Sequence, residues 1–237
     1  MSALADHGIA LVRAPNPGPL TLTGTNTWIV GGWVVDPGPA IDSHLDAVAA
    51  AVGACEGIAI THDHADHVEG LDGLLARVGA VPVVAARSGT ARDGDVAGPL
   101  RVVALSGHAD DHVAYVAGRA AFCGDAVLGE GSVFVSSDLA GYLDGLRRLR
   151  ALDVAVLCPG HGDPIWDVAA KLDDYVEHRL DRERRLVAAL ERGLRGEDEL
   201  LDAAWDDAPA ELRPFAAVSL RAHLEKLREE GRLPLSS

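Results

Sequence analysis

The sequence predicts a mixed α/β domain followed by a small helical one, and three observations carry that reading. Nine short segments rich in aliphatic and β-branched residues are bounded by Gly, Pro, Asn or Asp, the punctuation of strands. Three segments between them repeat apolar residues at three-to-four spacing, the period of an amphipathic helix. From about Asp167 the strand signals stop, and the remaining chain is helical and charge-laced.

In chain order the predicted strands are IALVR (9–13), NTWIV (26–30), WVVD (33–36), GIAIT (57–61), PVVAA (82–86), LRVVALS (100–106), HVAYVA (112–117), AAFC (120–123) and VAVLC (154–158). The predicted helices among them are SHLDAVAAAV (43–52), HVEGLDGLLARV (67–78) and LAGYLDGLRRLRAL (139–152). Strands follow one another too often for a simple doubly wound sheet. The organisation expected is a core over 1–166, a connecting helix over 167–193 and a C-terminal domain over 194–237, with the boundary at Gly193 to Gly196. Leu200, Leu201, Trp205, Leu212, Phe215, Val218, Leu220, Leu224 and Leu227 supply that domain with a modest core, and LREEGRLPL reads as a helix end followed by a short strand or wing. The charged stretch DRERRLVAALERGLR (181–195) reads as a solvated helix face.

Composition narrows the function classes. A chain of 237 residues can bury a full core without staples. Its net charge of -15 argues against a broad nucleic-acid or anionic-membrane footprint, since phosphate binding needs a cationic face. Cys55, Cys123 and Cys158 are odd in number and lack CxxC spacing, which fits reduced structural thiols. The N-terminus lacks the basic and apolar run of a signal peptide, so the location expected is cytoplasmic, with no membrane partner.

The stretch THDHADHVEG (61–70) concentrates three histidines and two aspartates between His62 and His67, directly after a predicted strand. His62 and His64 are spaced so that one loop offers two imidazoles to one ion, whereas Asp66 and His67 open the next helix and point elsewhere, which suggests two metals. Further ligands must come from distant segments. His108 in SGHADDH, Asp125 in CGDAVLGEG and His161 in CPGHGDP each follow a strand in a Gly-flanked turn that permits close backbone approach.

HxHxDH followed by single His, Asp and His residues resembles the metallo-β-lactamase fold hydrolases. The resemblance implies an αββα sandwich in which His62, His64 and His108 hold one metal, Asp66, His67 and His161 a second, and Asp125 bridges them. It also implies that DPG at 36–38 makes Asp36 a carboxylate behind the ligands, orienting the His62 to His67 loop. Ser106 departs from the proline that relatives often carry before this Gly-His pair. The chemistry expected is hydrolysis by a metal-bridging hydroxide oriented by Asp66, with two divalent ions, most simply zinc, although manganese or iron would accept the same donors. GTNTWIVG, HADDH, GDAVLGEG, PGHGDPI and HLEKLREEGRL look like the β-lactamase-like protein 2 group, whose members add a winged-helix-like C-terminal domain.

Three functions follow from that resemblance. The first, which the subgroup resemblance favours, is endoribonuclease action on single-stranded RNA; the second, its alternative, is hydrolysis of a small thioester of the glyoxalase II or acyl-thioesterase type. The third is a nucleic-acid-binding regulator with a structural metal core. Residues 171–237 carry 12 basic and 16 acidic side chains, which argues against the third. No substrate-contacting residue and no oligomeric state can be named from the sequence. Among the other histidines, His112 is expected behind the metals or as a structural group, and His178 at the site mouth or in water. His7, His44 and His223 are expected to be solvated.

Overall fold

The computed structural model describes residues 3–233. Ten strands form two five-stranded sheets. The first runs in the order β1 (Ile9–Arg13), β2 (Asn26–Val30), β3 (Trp33–Val35), β4 (Gly57–Ile60) and β5 (Val83–Ala85). The second runs β10 (Val156–Pro159), β9 (Ala120–Gly124), β8 (Val113–Ala117), β7 (Leu100–Ala104) and β6 (Val96–Ala97). All nine predicted strands are present, two with the expected ends and the others with ends shifted by one or two residues. The two-residue β6 was missed because it is too short to show a period.

Strands buried on both faces explain why the sequence shows apolar runs instead of alternation. Trp28, Val35 and Ala59 point to the interface between the sheets, where they meet Val102, Tyr115, Phe122 and Cys158. Their neighbours Ile29, Val34, Ile58 and Ile60 point outward beneath α1 (Asp42–Val52) and α3 (Leu71–Val78). The second sheet carries α4 (Leu139–Arg150) and α5 (Val168–Glu191) on its outer face, packed on Val103, Ala114 and Leu157. The result is an αββα sandwich. Trp28 is 1 % exposed at its centre, and its truncation to Ala would cost about 3–5 kcal/mol.

The predicted helix over 67–78 is two helices, α2 (Ala65–Val68) and α3, broken at Gly70. Gly70 N–H donates to Gly38 O at 2.8 Å, and a Cβ at 70 would lie 2.8 Å from that oxygen. Only glycine lets the two backbones approach so closely.

Beyond α5 come α6 (Glu197–Ala204) and α7 (Arg213–Glu229). Leu200, Leu201, Trp205, Leu220 and Leu227 pack as expected, but on Leu186, Ala189 and Leu190 from the end of α5, so the long helix belongs to both cores. Leu212 and Phe215 are only half-buried, and Ala216 and Ala217 take the inner positions. Of LREEGRLPL (227–235), the last helix covers the first three residues, no strand is assigned up to Leu233, and the end of the expected wing, Pro234 and Leu235, lies outside the described residues.

The solvated reading of 181–195 holds for Arg184 and Arg185 and fails for Arg182 and Glu183, each 5 % exposed. Glu183 accepts from Lys226 Nζ and Arg232 Nη1, both at 2.6 Å. Two further expectations are overturned. His44 is buried with Nε2 3.0 Å from Thr27 Oγ1, and His223 is buried between the main chains of α5 and α7. His7 is partly covered, its ring 5.8 Å from Trp166. Cys123 and Cys158 are buried free thiols and Cys55 is a half-buried one.

Candidate metal centre

Parallel pairing of β3 with β4, and of β9 with β10, places the C-terminal ends of these strands at the same edge of the sandwich. The loops leaving those ends carry Asp36, the 62–67 segment, Asp125 and His161, and the turn after β7 brings His108 to them. Two groups of candidate ligands form there. His62, His64, His108 and Asp125 make one and Asp66, His67 and His161 the other, with potential ligand atoms in each lying within 4.8 Å of one another. All seven residues anticipated as ligands therefore converge.

Hydrogen bonds at the back of four of the five rings decide which nitrogen faces inward. Thr61 Oγ1 donates to Asp36 Oδ2 at 2.7 Å and so accepts from His62 Nδ1 at 3.0 Å, leaving the lone pair of His62 Nε2 turned inward. His108 Nδ1 donates to Phe134 O at 3.2 Å and His161 Nδ1 to Gly24 O at 3.3 Å. His67 Nδ1 donates to Asp36 Oδ2 at 2.9 Å, and its Nε2 is buried without a hydrogen-bond partner. His62 Nε2 and His108 Nε2 then both point at His64 Nδ1, at 3.0 and 3.1 Å. No hydrogen bond at its back fixes the tautomer of His64, so its Nδ1–H can satisfy at most one of the two facing nitrogens and leaves the other lone pair unmet; about 2.0–2.1 Å from a shared cation to each nitrogen in tetrahedral geometry requires a spacing of roughly 3.3 Å.

Asp125 sits between the groups. Its Oδ2 lies 3.2 Å from His161 Nε2 and 3.7 Å from His108 Nε2, and its Oδ1 is 3.5 Å from His67 Nε2. Gly160 makes room for it, since a Cβ there would stand 2.2 Å from Asp125 Oδ1. Asp66 Oδ2 is 3.3 Å from His161 Nε2 and accepts from Thr25 Oγ1 at 2.8 Å. Thr25 is fixed in turn, its hydroxyl by Asn16 Nδ2 and its N–H by Asn16 Oδ1, both at 2.9 Å. Thr25 belongs to the GTNTW segment, whose chemical role sequence reading did not specify.

Asp36 takes the place expected of it. Its backbone is left-handed at φ 55°, a strained conformation for a non-glycine residue. Oδ1 accepts from Thr61 N at 2.7 Å while Oδ2 takes the Thr61 and His67 bonds, so one carboxylate orients both ligand groups. His112 is buried behind His62, ring centroids 4.8 Å apart, and neither of its nitrogens has a partner among the described residues.

Burial depresses His62 well below the usual imidazole range and His108 to about 4, both helped by neighbouring histidines. Against burial, Asp66 is held down to about 2 by a hydrogen bond from His161, the charge on His67 and the Thr25 hydroxyl. His161 moves the other way, to about 9; burial opposes the rise, and Asp125 and Asp66 outweigh it.

Above this floor opens a cleft of about 780 Å³. Its walls are Pro19, Leu20 and Leu22 on one side, Leu128, Val133 and Phe134 on another, and Trp205, Leu212 and Phe215 from the C-terminal helices. Phe134 lies on His108 at 4.9 Å and Phe215 on Phe134 at 5.2 Å, an aromatic path from the floor to α7. His178 faces the cleft, its pKa lowered to about 4 by burial and by Arg179 and Arg182. These wall residues had no local motif to announce them.

A profile of the metallo-β-lactamase superfamily matches residues 87–161, and one of the β-lactamase associated winged helix domain matches 197–233. The β-lactamase-like protein 2 homolog of Caenorhabditis elegans is 33% identical over 251 residues, covering 94% of this chain and 85% of its own. The chain belongs to the metallo-β-lactamase superfamily. Its architecture is a metallo-β-lactamase unit with a β-lactamase associated winged helix domain, and members of the superfamily are hydrolases. A metallo-β-lactamase family protein of Thermus thermophilus superposes with a TM-score of 0.74 at 26% identity, over 95% of this chain and 94% of that one. An atrochrysone carboxyl ACP thioesterase of Aspergillus chevalieri is 32% identical over 202 residues, covering 77% of this chain and 65% of its own. No described helix of this metallo-β-lactamase superfamily member is long and apolar enough to cross a membrane.

Proposed function

We propose that this hydrolase acts on small acyl thioesters, with two divalent metal ions on the cleft floor. The observation that carries the reading is the cleft wall, which is mainly apolar and, among the described residues, offers one unpaired basic side chain, Arg179, where a chain of phosphates would need several. Arg182 is consumed by Ala204 O at 2.6 Å and Asp207 at 2.7 Å, and Arg179 is buried. Single-stranded RNA needs a cationic groove and stacking platforms along several nucleotides. A net charge of -15 opposes that at long range. The thioesterase among the relatives supports the same choice.

The donor set fits metals: inward-facing nitrogens 3.0–3.1 Å apart, with His67 Nε2 and Asp125 Oδ1 buried and unpartnered. His62, His64 and His108 would hold one ion, Asp66, His67 and His161 the other, and Asp125 would serve both. Ions bound there supply Lewis acidity and make water acidic enough to attack at neutral pH. The histidine-rich set suits zinc most simply, and manganese or iron would accept the same donors. The chain's own residues do the remaining work. Thr25 and Asn16 fix the rotation of the Asp66 carboxylate, whose side chain is 29% exposed and so reaches the cleft. That carboxylate accepts the proton as the water oxygen bonds to the acyl carbon, and the carbon–sulfur bond then breaks to release the acid and a thiolate, which takes its proton from solvent. Phe134 and Phe215 hold the acyl chain and keep bulk water from the carbonyl. The C-terminal unit, proposed as residues 194–237, is thereby part of the cleft.

One metal-loaded sample assayed on hexanoyl–N-acetylcysteamine and on a single-stranded RNA oligonucleotide tests the reading. Thioester turnover that a chelator abolishes, with the RNA left intact, is expected. Metal-dependent RNA cleavage with the thioester untouched would transfer the site to phosphodiester hydrolysis.

A further inference from the structure

Arg179 is a cleft side chain whose guanidinium its own fold leaves incompletely satisfied. It projects from the middle of α5 and lines the cleft wall, yet it is only 2 % exposed. No carboxylate among the described residues lies within salt-bridge reach of it, whereas its neighbour Arg182, one turn along, is paired with Asp207. Of its nitrogens Nη2 alone donates, to Ser132 Oγ at 2.9 Å and to Val133 O, and Nε is buried without a partner. The Tyr142 ring, 5.9 Å away, gives partial compensation. A guanidinium removed from water without a counter-charge is costly to keep, because carbonyl and hydroxyl dipoles replace only part of its hydration.

Its position relates it to the chemistry. Val133 O takes the Arg179 bond, and the next carbonyl along, Phe134 O, takes the His108 Nδ1 bond. The guanidinium and a candidate metal ligand are therefore anchored to successive residues of one loop, whose Cα atoms are about 3.8 Å apart. Ser132 Oγ adds a second polar group, and His178 Nδ1 stands 3.4 Å from it. This is a small polar island in a mainly apolar wall that also carries Glu130, Arg182 and Asp207, beside the floor and with a positive charge at its centre.

We propose that Arg179 determines specificity by seating an anionic group of the substrate, a carboxylate or a phosphate, at this island while the scissile carbonyl lies on the floor. The proposal rests on the thioester reading. It adds that the preferred thioester is charged, either at the far end of its acyl chain or on its carrier arm. Ser132 and Arg179 would bind that anion, and the apolar wall would hold the methylenes between anion and carbonyl.

The test uses the metal-loaded full-length protein and compares kcat/KM for three kinds of thioester. Hexanoyl–N-acetylcysteamine is neutral; succinyl-, glutaryl- and adipoyl–N-acetylcysteamine carry a carboxylate on the acyl group; hexanoyl–4′-phosphopantetheine carries a phosphate on the carrier. The wild-type protein should prefer one anionic kind over the neutral thioester by about tenfold or more, the effect of one charge-assisted hydrogen-bonded contact. Which kind is preferred identifies the source of the charge. In Arg179→Met that ratio should fall towards one, chiefly through KM, and in Arg179→Lys it should be partly restored. Equal turnover of neutral and anionic thioesters by the wild-type protein overturns the proposal without recourse to any variant, as does a ratio that survives in Arg179→Met. Calorimetric titration with monomethyl adipate, methyl hexanoate and inorganic phosphate separates the two claims. Binding of one of the anions in preference to methyl hexanoate, lost in Arg179→Met, supports the anion seat even if no thioester is hydrolysed, in which case the thioester reading alone falls. Equal binding by the wild-type and Arg179→Met proteins counts against the seat.

Discussion

The cleft floor and the α5–α7 junction both bury histidine, and the two regions use it in opposite ways. At the junction the fold gives His223 an acceptor at each nitrogen, Ser219 O 2.8 Å from Nδ1 and Arg179 O 3.2 Å from Nε2, and the neutral ring donates to one of them. On the floor His62, His67, His108 and His161 each spend one nitrogen on the fold and turn the other inward, and His62 and His108 converge on His64 at 3.0 and 3.1 Å. The difference teaches that burial does not mark a functional histidine. A nitrogen held in place from behind with nothing in the protein to receive its lone pair does.

The largest expected effect breaks the floor. Replacing His64 by Ala removes the nitrogen on which the other two converge, and activity should fall by more than about 100-fold, beyond the loss typical of an outer partner. Circular dichroism should show the fold retained, because His64 makes no hydrogen bond to the sheets. A variant that keeps both metal and rate would remove the equivalence of the three rings. Asp36→Asn comes next. It leaves the ligands in place but weakens the acceptor of His67 Nδ1 and Thr61, so metal affinity or activity should drop about 10–100-fold. Parental metal affinity and parental kcat together would mean that ring orientation is set elsewhere.

The smallest effect belongs to the junction. Burial depresses His223 to about 4, with Arg179 acting in the same direction and Glu183 against it. The unfolded chain, with an ordinary histidine near 6.5, binds the proton more readily between those values. Stability contributed by the neutral ring is therefore complete above about pH 6.5 and is lost as pH falls towards 4, by up to about 3 kcal/mol. Hydrogen exchange in α7 should accelerate over that interval in the wild-type protein and more shallowly in His223→Asn. The same acceleration in both would assign the acid response to another group.

How much of this could be read beforehand depended on whether the signal was local. The strands were legible because residues such as Trp28 to Val30 are apolar on both faces and end at Gly or Pro. The seven candidate ligands were legible because HxHxDH is compact and each partner follows a strand in a glycine turn. Arg179 and Arg182 were not, since their meaning lies in Val133, Ser132 and Asp207, which are 46, 47 and 25 residues away. His223 and His44 failed for the same reason: nothing near them in sequence announces the Arg179 carbonyl or the Thr27 hydroxyl. The break between α2 and α3 at Gly70 comes from contact with Gly38, which periodicity cannot contain.

The central claim is that the unmatched nitrogens and carboxylates of the floor form two divalent-metal sites. Elemental analysis of the purified protein after equilibration with zinc, and separately with iron and manganese, measures it directly. The account predicts close to two ions per chain, one for each ligand group, for at least one of these metals. One ion or none per chain under saturating conditions with all three would contradict it.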